Sequence, residues 1–456
     1  MVRTWKSSVR SAMQKGLAVV GTFAILVAAC TDGGEQPTTI ASTTTTSTFA
    51  PIEIVAASTT IAPGVDPAVY DQLTDQIRTL MAATQSLRGL SYIQVPDTVI
   101  LAFDDFADRM ASVVGPELTN SKLAREEAVL RLLGQYDEPP SIAGAMRDLY
   151  TAEAAIAFYD GAAAQVVVDG TRAELTPLEA SIVVHALAAA LIDQYHNTHD
   201  RLTDLTGSGQ DDALDAFRTL ADGDAIAVQV RYLQSLSQED QLDAASQATG
   251  AEPAALLRLP DVVRAQLALP GEAGVAFVDE VVSDGGYVAL DLAYDPPPQT
   301  MEQVLHPDRF AIRETVRDVP ELAVEIDGYR TISGGSYGEW RLWLLLQSAV
   351  PPGLVTQSAA GWGGDAYQLL VDEDEMVFVY IYGGDTEDDA IEVAQALLAV
   401  ARGPMAAGDG VDSGGGVLWD GPDRYVFVDR IGDGLVFIVA TSSAAGAEAR
   451  TQVRVP

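Results

Sequence analysis

The stretch Ile182-Val-Val-His-Ala-Leu-Ala-Ala-Ala-Leu-Ile-Asp-Gln-Tyr-His196 guides the interpretation of the rest of this 456-residue chain. Apolar residues recur at helical spacing from Val184 to Tyr195, and alanines fill most positions between them. A helix that is apolar around its whole circumference is normally buried in a large core. The stretch therefore predicts a central buried helix, with a single imidazole, His185, inside its apolar run.

His185 stands at the first position of a pattern that zinc peptidases use. In H-E-x-x-H, two imidazoles one helical turn apart bind zinc, and the glutamate is the general base for the metal-bound water. Here Ala186 occupies the base position and Ala189 occupies the second ligand position. By itself, a lone histidine in an apolar helix is most often a hydrogen-bonded core residue.

Five short segments in a fixed order carry a more specific signal. They are Ala157-Phe-Tyr-Asp160 with the apolar run Val166–Val168, the helix from His185 to Gln194, Ala221-Asp-Gly-Asp-Ala225, Thr300-Met-Glu-Gln-Val-Leu-His-Pro-Asp-Arg-Phe310, and Ala359-Ala-Gly-Trp-Gly-Gly-Asp-Ala-Tyr367. Together they resemble a family of secreted bacterial zincin-like metallopeptidases. The zinc helix of that family reads H-E-L-T-H-A-L-Q-D-Q, and a later helix carries E-G-D-A.

The resemblance runs from about Leu87 to about Val400 and implies the family's fold. It also implies that Asp222 stands where the family's ligand glutamate is expected. The vestigial site positions are thus His185, Ala186, Ala189 and Asp222. A catalytic zinc has three protein ligands and a water, whereas His185 and Asp222 supply at most two. We therefore expect no catalytic residue, no metal ligand set and no cofactor.

The other candidate groups lie too far away in sequence to complete this site. His196 is eleven residues after His185, which places it about 16 Å along a helix axis. His199 is farther still unless the chain folds back, and Glu179 is almost two turns before His185. We interpret His306 as a structural turn residue before Pro307. Metal-assisted hydrolysis needs an activated water and a positioned proton acceptor, and the sequence supplies neither.

The N-terminal segment is typical of an exported lipoprotein. Four positive residues between Arg3 and Lys15 precede an apolar run from Leu17 to Ala29 that is too short for a dependable membrane span. The run ends in Val27-Ala-Ala-Cys30, which resembles the bacterial lipobox. Cys30 is the only cysteine, so we predict that it carries the lipid and that the protein lies on the extracytoplasmic face of the cell membrane. The alternatives are an uncleaved anchor and a plain cleaved signal.

The charge balance excludes nucleic acid as a partner. Without residues 1–29 the chain keeps 23 of its 27 Lys and Arg residues against 65 acidic residues, a formal charge of −42. Such a surface repels phosphate backbones and anionic lipid headgroups. We therefore expect contact with the membrane only through the Cys30 lipid.

The composition divides the chain into four parts. Residues 1–29 are the lipoprotein signal peptide, and residues 30–65 are a Thr/Ser/Pro-rich disordered tether. Residues 66–400 are the degenerate metallopeptidase-like domain, and residues 401–456 are a Gly-rich loop with C-terminal antiparallel strands. The predicted fold class is α+β, with a helix-rich half that contains two long central helices and a β-rich half after it.

Local patterns predict individual elements. Thr176 is the expected N-cap of the His185 helix, and a second long helix is expected at about 211–236. Residues 155–168 predict a hairpin across Gly161, residues 90–95 a short strand, and residues 97–114 a helix. Strands are also predicted at 287–293, at 340–347 and within 415–442. The last of these either extend the sheet of the main domain or stand apart from it.

These observations predict a non-enzymatic protein that binds a protein or peptide in the former substrate cleft. Replacing Glu and His with Ala removes buried polar groups that would otherwise need a metal, so the fold and its groove can survive. One alternative is an active zinc metallopeptidase with atypical ligands. A less favoured alternative is a solute-binding lipoprotein, which requires two similar α/β lobes.

Overall fold

The computed structural model describes residues 61–115, 119–136, 142–150, 155–250, 254–373, 375–405, 407–422 and 424–455. The predicted signal peptide, Cys30 and the tether up to residue 60 lie outside the described residues. The described chain is α+β, with a helix-rich half followed by a β-rich half, which confirms the predicted fold class.

The helix-rich half runs from residue 61 to about residue 328 and carries one small sheet. Its helices are α1 (Pro67–Arg88), α2 (Phe103–Val114), α3 (Asn120–Leu132), α4 (Ile142–Tyr150), α5 (Pro177–His196), α6 (Thr198–Leu205), α7 (Asp211–Ser235), α8 (Gln238–Gly250), α9 (Ala254–Leu257), α10 (Asp261–Leu269), α11 (Val275–Leu292), α12 (Met301–Leu305) and α13 (Pro307–Ala311), with a π-helical turn at Pro270–Gly274. Its strands are β1 (Asp97–Leu101), β2 (Ala157–Asp160) and β3 (Gln165–Asp169), in the order β1-β3-β2.

The β-rich half contains one seven-stranded sheet in the order β4-β5-β6-β10-β9-β8-β7, in which every neighbouring pair is antiparallel. The strands are β4 (Arg330–Gly335), β5 (Trp362–Asp372), β6 (Glu375–Gly384), β7 (Val411–Ser413), β8 (Gly416–Asp420), β9 (Tyr425–Ile431) and β10 (Gly434–Ala440). Its helices are α14 (Gly338–Leu346), α15 (Pro352–Ala359), α16 (Glu387–Arg402) and α17 (Ser443–Gln452).

The C-terminal strands join the same sheet as the strands before residue 400. Strand β10 pairs with β6 along its whole length, from Gly434 opposite Gly383 to Ala440 opposite Val377. The expected domain boundary at residue 400 therefore falls between two parts of one sheet. The strands within residues 415–442 therefore extend the sheet of the main domain and do not stand apart from it.

Helix α5 forms where its sequence predicts it. Thr176 and Glu179 make a reciprocal capping box, because the Thr176 side chain accepts from the Glu179 N–H and the Glu179 carboxylate accepts from the Thr176 N–H. The helix ends at Asn197, whose backbone is left-handed with φ 50°. Between these ends the helix lies in the main apolar cluster of the helix-rich half, which we call the helical core.

Four local predictions are wrong in whole or in part. The segment 90–95 is not a strand, and the predicted helix at 97–114 begins with strand β1, which pairs in parallel with the distant β3. The predicted strand at 287–293 belongs to α11, and the one at 340–347 is α14. Helix α14 resembles a strand in sequence because it is apolar on two faces. Trp340 and Leu344 pack into the helical core, while Leu342 and Leu345 pack against the large sheet.

Candidate functional site

The four positions that the resemblance singles out lie on two long helices, His185, Ala186 and Ala189 on α5 and Asp222 on α7, and these helices run antiparallel. Leu178 packs in one cluster with Leu233, and Gln229 Nε2 donates to Ser181 Oγ at 3.1 Å. Asp222 is seven residues before Gln229, or about 10 Å along the axis of α7. Because the helices are antiparallel, Asp222 is level with residues about seven positions after Ser181, which are residues 188 and 189 of α5. The structure therefore brings Asp222 to the axial level of the vestigial positions.

His185 and Asp222 are both half-buried, and both are perturbed by burial. Nδ1 of His185 is enclosed and has no hydrogen-bond partner among the described residues, and burial lowers the pKa of its imidazole to about 4. The ring is therefore neutral at physiological pH. Burial raises the pKa of the Asp222 carboxyl to about 6, although Arg218 one turn earlier lowers it. Ala186 is fully buried, so no polar group stands at the base position.

The residues present do not fit a zinc site. The enclosed Nδ1 atom is what an unliganded metal-binding histidine would present, but Ala189 offers no second imidazole. Among the described residues, no three His, Cys, Asp or Glu side chains are grouped so that they could hold a metal ion. The helix pair therefore lacks the ligand count that either a structural or a catalytic zinc requires.

The other groups considered from the sequence are engaged elsewhere. Glu179 is held by the capping box and lies 3.3 Å from Arg172. His196 stacks on the ring of Tyr294 with 3.9 Å between centroids. His199 packs against Gly161 in the turn after β2, where an added Cβ would lie 2.4 Å from the imidazole. None of these side chains is positioned by α5 to act with His185.

One stripe of α5 stays partly accessible while the rest of the helix is buried. It comprises Ile182, His185, Ala189, Asp193 and His196, which recur every three or four residues and so share one face. Buried residues occupy most of the remaining circumference. The stripe therefore places the vestigial His185 and Ala189 positions on the only continuously half-open face of this helix.

Strand β2 lies beside this stripe and forms an edge of the small sheet. Tyr159 on β2 donates its hydroxyl to Asp193 Oδ2 at 2.7 Å, which fixes the strand against α5. Phe158 points to the other side of the sheet and packs edge-on against Phe106 of α2. The strand is therefore held on both faces by side-chain contacts.

The free edge of β2 presents the backbone groups of Ala157 and Tyr159. Asp169 N donates to the Ile156 carbonyl at 2.9 Å, and the register continues with Phe158 opposite Val167. In an antiparallel pair, hydrogen-bonded and non-hydrogen-bonded residue pairs alternate. The N–H and C=O groups of Ala157 and Tyr159 therefore point away from β3, and no described residue is hydrogen-bonded to them.

The Asp193-Gln194 pair at the end of the helix has a structural role. Gln194 accepts from the N–H groups of Ile93 and Gln94 and donates to the Gln94 carbonyl at 2.8 Å. Tyr92 in the same segment donates to the Leu187 carbonyl at 3.0 Å. The segment 90–95 is thus held by side-chain and main-chain groups of α5 and not by a sheet.

A buried charge cluster that the sequence did not reveal joins four helices of the helical core. Arg88 at the end of α1 donates to Asp224 on α7 at 3.0 Å and to Asp291 on α11 at 2.6 Å. Tyr294 donates its hydroxyl to Asp224 at 3.1 Å, and His196 lies 3.6 Å from Asp291. Asp224 belongs to the D-G-D-A segment quoted above, and that segment is the only feature of the sequence that draws attention to a member of this cluster. Its partners lie too far away in sequence to be inferred from spacing.

By length and composition, one helix in the described part of the chain could cross a membrane, and it is α5. Most of α5 is buried inside the helical core, as expected for the central helix of a folded domain.

Comparison with known proteins gives one partial match. A family model described as a domain of unknown function (DUF8575) matches residues 329–450, about a quarter of the chain. The matched range covers all seven strands of the large sheet and most of α17. No curated protein matches the chain, and no solved structure matches it.

Proposed function

We propose that this protein is a lipid-anchored extracytoplasmic binding protein without peptidase activity. Its partner is an extended peptide segment that adds a strand to the free edge of β2, beside the half-buried stripe of α5. The proposal rests on one observation above all, which is the unpaired edge formed by Ala157 and Tyr159 next to the vestigial helix.

An exposed strand edge is a ready template for a further strand. Main-chain hydrogen bonds to the edge supply affinity, and alternate side chains of the added strand find neighbouring pockets. Here the edge is fixed by the Tyr159–Asp193 contact and by the packing of Phe158. A peptide that pairs with Ala157 and Tyr159 therefore meets a preformed surface. Little of the binding free energy is then needed to order the protein.

We propose no peptidase activity because of the residues that occupy the site. Hydrolysis needs a positioned proton acceptor, and the base position is the buried Ala186. The imidazole of His185 is neutral, and no described carboxylate is hydrogen-bonded to its enclosed Nδ1 to orient the ring. We therefore propose that His185 and Ala189 contact the bound peptide and take no part in a reaction.

The edge is tested with a displayed library of random twelve-residue peptides, selected at pH 7 on the chain from residue 31 onward. Selected peptides are then measured against Ala157→Pro, which removes an N–H that points away from β3 and so spares the sheet. A backbone hydrogen bond contributes about 0.5–1.5 kcal/mol, and 1.4 kcal/mol is about tenfold in affinity. We expect Ala157→Pro to weaken binding by about tenfold.

The matched control is Ala157→Val, which adds bulk at the same position but keeps the N–H. It should bind the selected peptides within about threefold of the unchanged protein, because it keeps the hydrogen bond that Ala157→Pro removes. Failure to enrich any peptide, or equal loss with valine and proline, would overturn the edge-strand proposal.

The anchor is tested separately by cell fractionation. We expect the full chain to sediment with the membrane fraction, and a Cys30→Ser variant to leave it. Retention of Cys30→Ser in the membrane would show that the apolar run before residue 30 acts as an uncleaved anchor.

A further inference from the structure

The two halves of the protein meet at a buried cluster of ionisable groups around His306. The cluster joins α12 and α13, whose residues Met301, Val304 and Phe310 pack in the helical core, to α14 and the end of β6 in the β-rich half. His306 lies between α12 and α13, and its Nε2 is 3.0 Å from Glu339 Oε1 at the start of α14.

Arg309 forms the second link of this cluster. Its guanidinium contacts Glu302 on α12, lies 3.4 Å from Glu314, and donates to Asp385 after β6 at 3.1 Å and to the Ala360 carbonyl at 3.3 Å. The arginine therefore bridges the helix-rich half to the loop that follows β6.

The cluster holds more carboxylates than cations. Glu302, Glu314, Glu339 and Asp385 face Arg309 and His306. The Tyr382 hydroxyl is nearby, and its pKa is raised by burial and further by carboxylates that include Asp385 and Glu339. Two of these carboxylates, Glu302 and Glu339, are about 4% exposed. Oε2 of Glu339 is enclosed and has no hydrogen-bond partner among the described residues. Uncompensated buried charge of this kind is strongly destabilising.

Burial raises the pKa of the Glu302 carboxyl to about 8, with Glu339 and Asp385 adding to the rise and Arg309 opposing it. Burial lowers the pKa of His306, but the charge and the hydrogen bond of Glu339 more than offset this, so the pKa of the imidazole is raised. Both groups therefore hold a proton in the folded protein at a pH where they would lose it in the unfolded chain.

We infer that the Glu302–His306–Glu339 cluster is a proton-operated latch between the helix-rich half and the β-rich half. The latch is closed while Glu302 and His306 keep their protons, because the cluster is then close to neutral. It loosens when both protons leave, since four carboxylates then face the single cation Arg309.

The sign of the pH dependence follows directly. Both folded-state pKa values lie above the unfolded values, so the stabilisation is complete below the unfolded pKa and is lost as pH rises through the folded pKa. For Glu302 this interval runs from about 4.5 to about 8. For His306 it begins at about 6.5. Alkaline conditions therefore open the latch and mildly acidic conditions close it.

The test uses Glu302→Gln, which is a neutral stand-in for the protonated acid. Folding equilibrium constants of the chain from residue 31 onward are measured by urea denaturation from pH 5 to pH 9. One proton held only by the folded state changes this constant by about tenfold per pH unit. We expect the Glu302→Gln variant to lose that part of the pH dependence between pH 5 and pH 8.

The control is Glu321→Gln, because Glu321 is exposed and lies in the segment that connects the two halves. It should follow the unchanged protein at every pH. If Glu302→Gln shows the same pH slope as the unchanged protein, the latch is refuted.

A second measurement does not depend on the folding of any variant. The four histidines are titrated by NMR in the unchanged protein, and the His306 signal is assigned by its absence in His306→Asn. We expect a pKa above 6.5 for His306. A value at or below 6.5 would refute the latch even if Glu302→Gln fails to fold.

Discussion

Replacing Arg88 with methionine should destabilise the protein by about 3–5 kcal/mol, because it leaves Asp224 as an unpaired buried charge. Both side chains of this ion pair are completely inaccessible to solvent, and Arg88 Nε lies 2.9 Å from Asp224 Oδ1. Asp291, the second partner of Arg88, is 34% exposed, so water screens its loss and it adds little. The expected cost therefore comes almost entirely from Asp224.

The stability lost in Arg88→Met should be larger at high pH than at low pH. Burial raises the pKa of Asp224 in the folded protein, and Arg88 lowers it. Without Arg88 the folded pKa rises further, while the unfolded value stays near 3.8. The folded variant then binds a proton that the unfolded chain releases, so its stability falls as pH rises above about 4. We expect Arg88→Met to be less destabilised at pH 5 than at pH 8.

A double-mutant cycle separates the pair from its surroundings. Replacing both charges, as in Arg88→Met with Asp224→Leu, removes the buried ion pair altogether. It leaves the buried Tyr294 hydroxyl without its acceptor, at a cost of about 1–3 kcal/mol, and it also removes the contact of Arg88 with the partly exposed Asp291. Urea denaturation of the two single variants and the double variant gives the coupling energy. A loss below 1 kcal/mol for Arg88→Met, or strictly additive losses in the double variant, would refute the reasoning.

Three further predictions concern the caps, the metal and a crowded glycine. Thr176→Ala should cost about 1 kcal/mol by removing the capping box of α5, whereas Thr176→Ser should not, as measured by urea denaturation. Elemental analysis after dialysis against trace zinc should find far less than one zinc per chain; one zinc per chain that is lost in His185→Ala would contradict the binding-protein proposal. Gly338→Ala should cost at least about 2 kcal/mol, because the residue has φ 81° and a new Cβ would lie 2.1 Å from Asp212 Oδ1. Gly353→Ala is the control, because this helical glycine of α15 has room for a Cβ and nothing lies within 4 Å of it. It should unfold at the same or a higher urea concentration than the unchanged protein, since such a replacement stabilises by up to about 1 kcal/mol.

Elements with a strong local signal were predictable from the sequence. The capping box at Thr176 and the apolar run after it define α5, and the turn at Gly161 defines the β2–β3 hairpin. Elements whose environment is set by distant parts of the chain were not predictable. Strand β1 exists because it pairs with β3 more than sixty residues later. Helix α14 has no polar face because two separate cores cover it, so its sequence lacks the helical period.

In the candidate site, too, the features set by local sequence were predictable and those set by distant residues were not. The sequence correctly places Asp222 on the second long helix, and the packing of Ser181 against Gln229 brings Asp222 level with Ala189. The polar groups that stabilise this helix pair could not be read from spacing, because Arg88 and Asp224 are 136 residues apart. His306 lies between α12 and α13, directly before Pro307, and its ring contacts Glu339, which no local pattern indicates.

Several contacts around α5 hold the end of this helix in place. At the far end of α5 from the cap, Asp193 accepts from Tyr159, Thr198 and the His199 N–H, so the helix end is tied to β2 and α6. The small Ala186 buries no polar group that a metal would have to satisfy. His185 Nδ1 is enclosed and has no hydrogen-bond partner in the part of the chain that the structure describes, and burial keeps the ring neutral, which limits the cost of leaving that atom unpaired. These contacts fix the end of α5 and, through Tyr159, hold β2, which is the edge strand that the proposed peptide partner would extend.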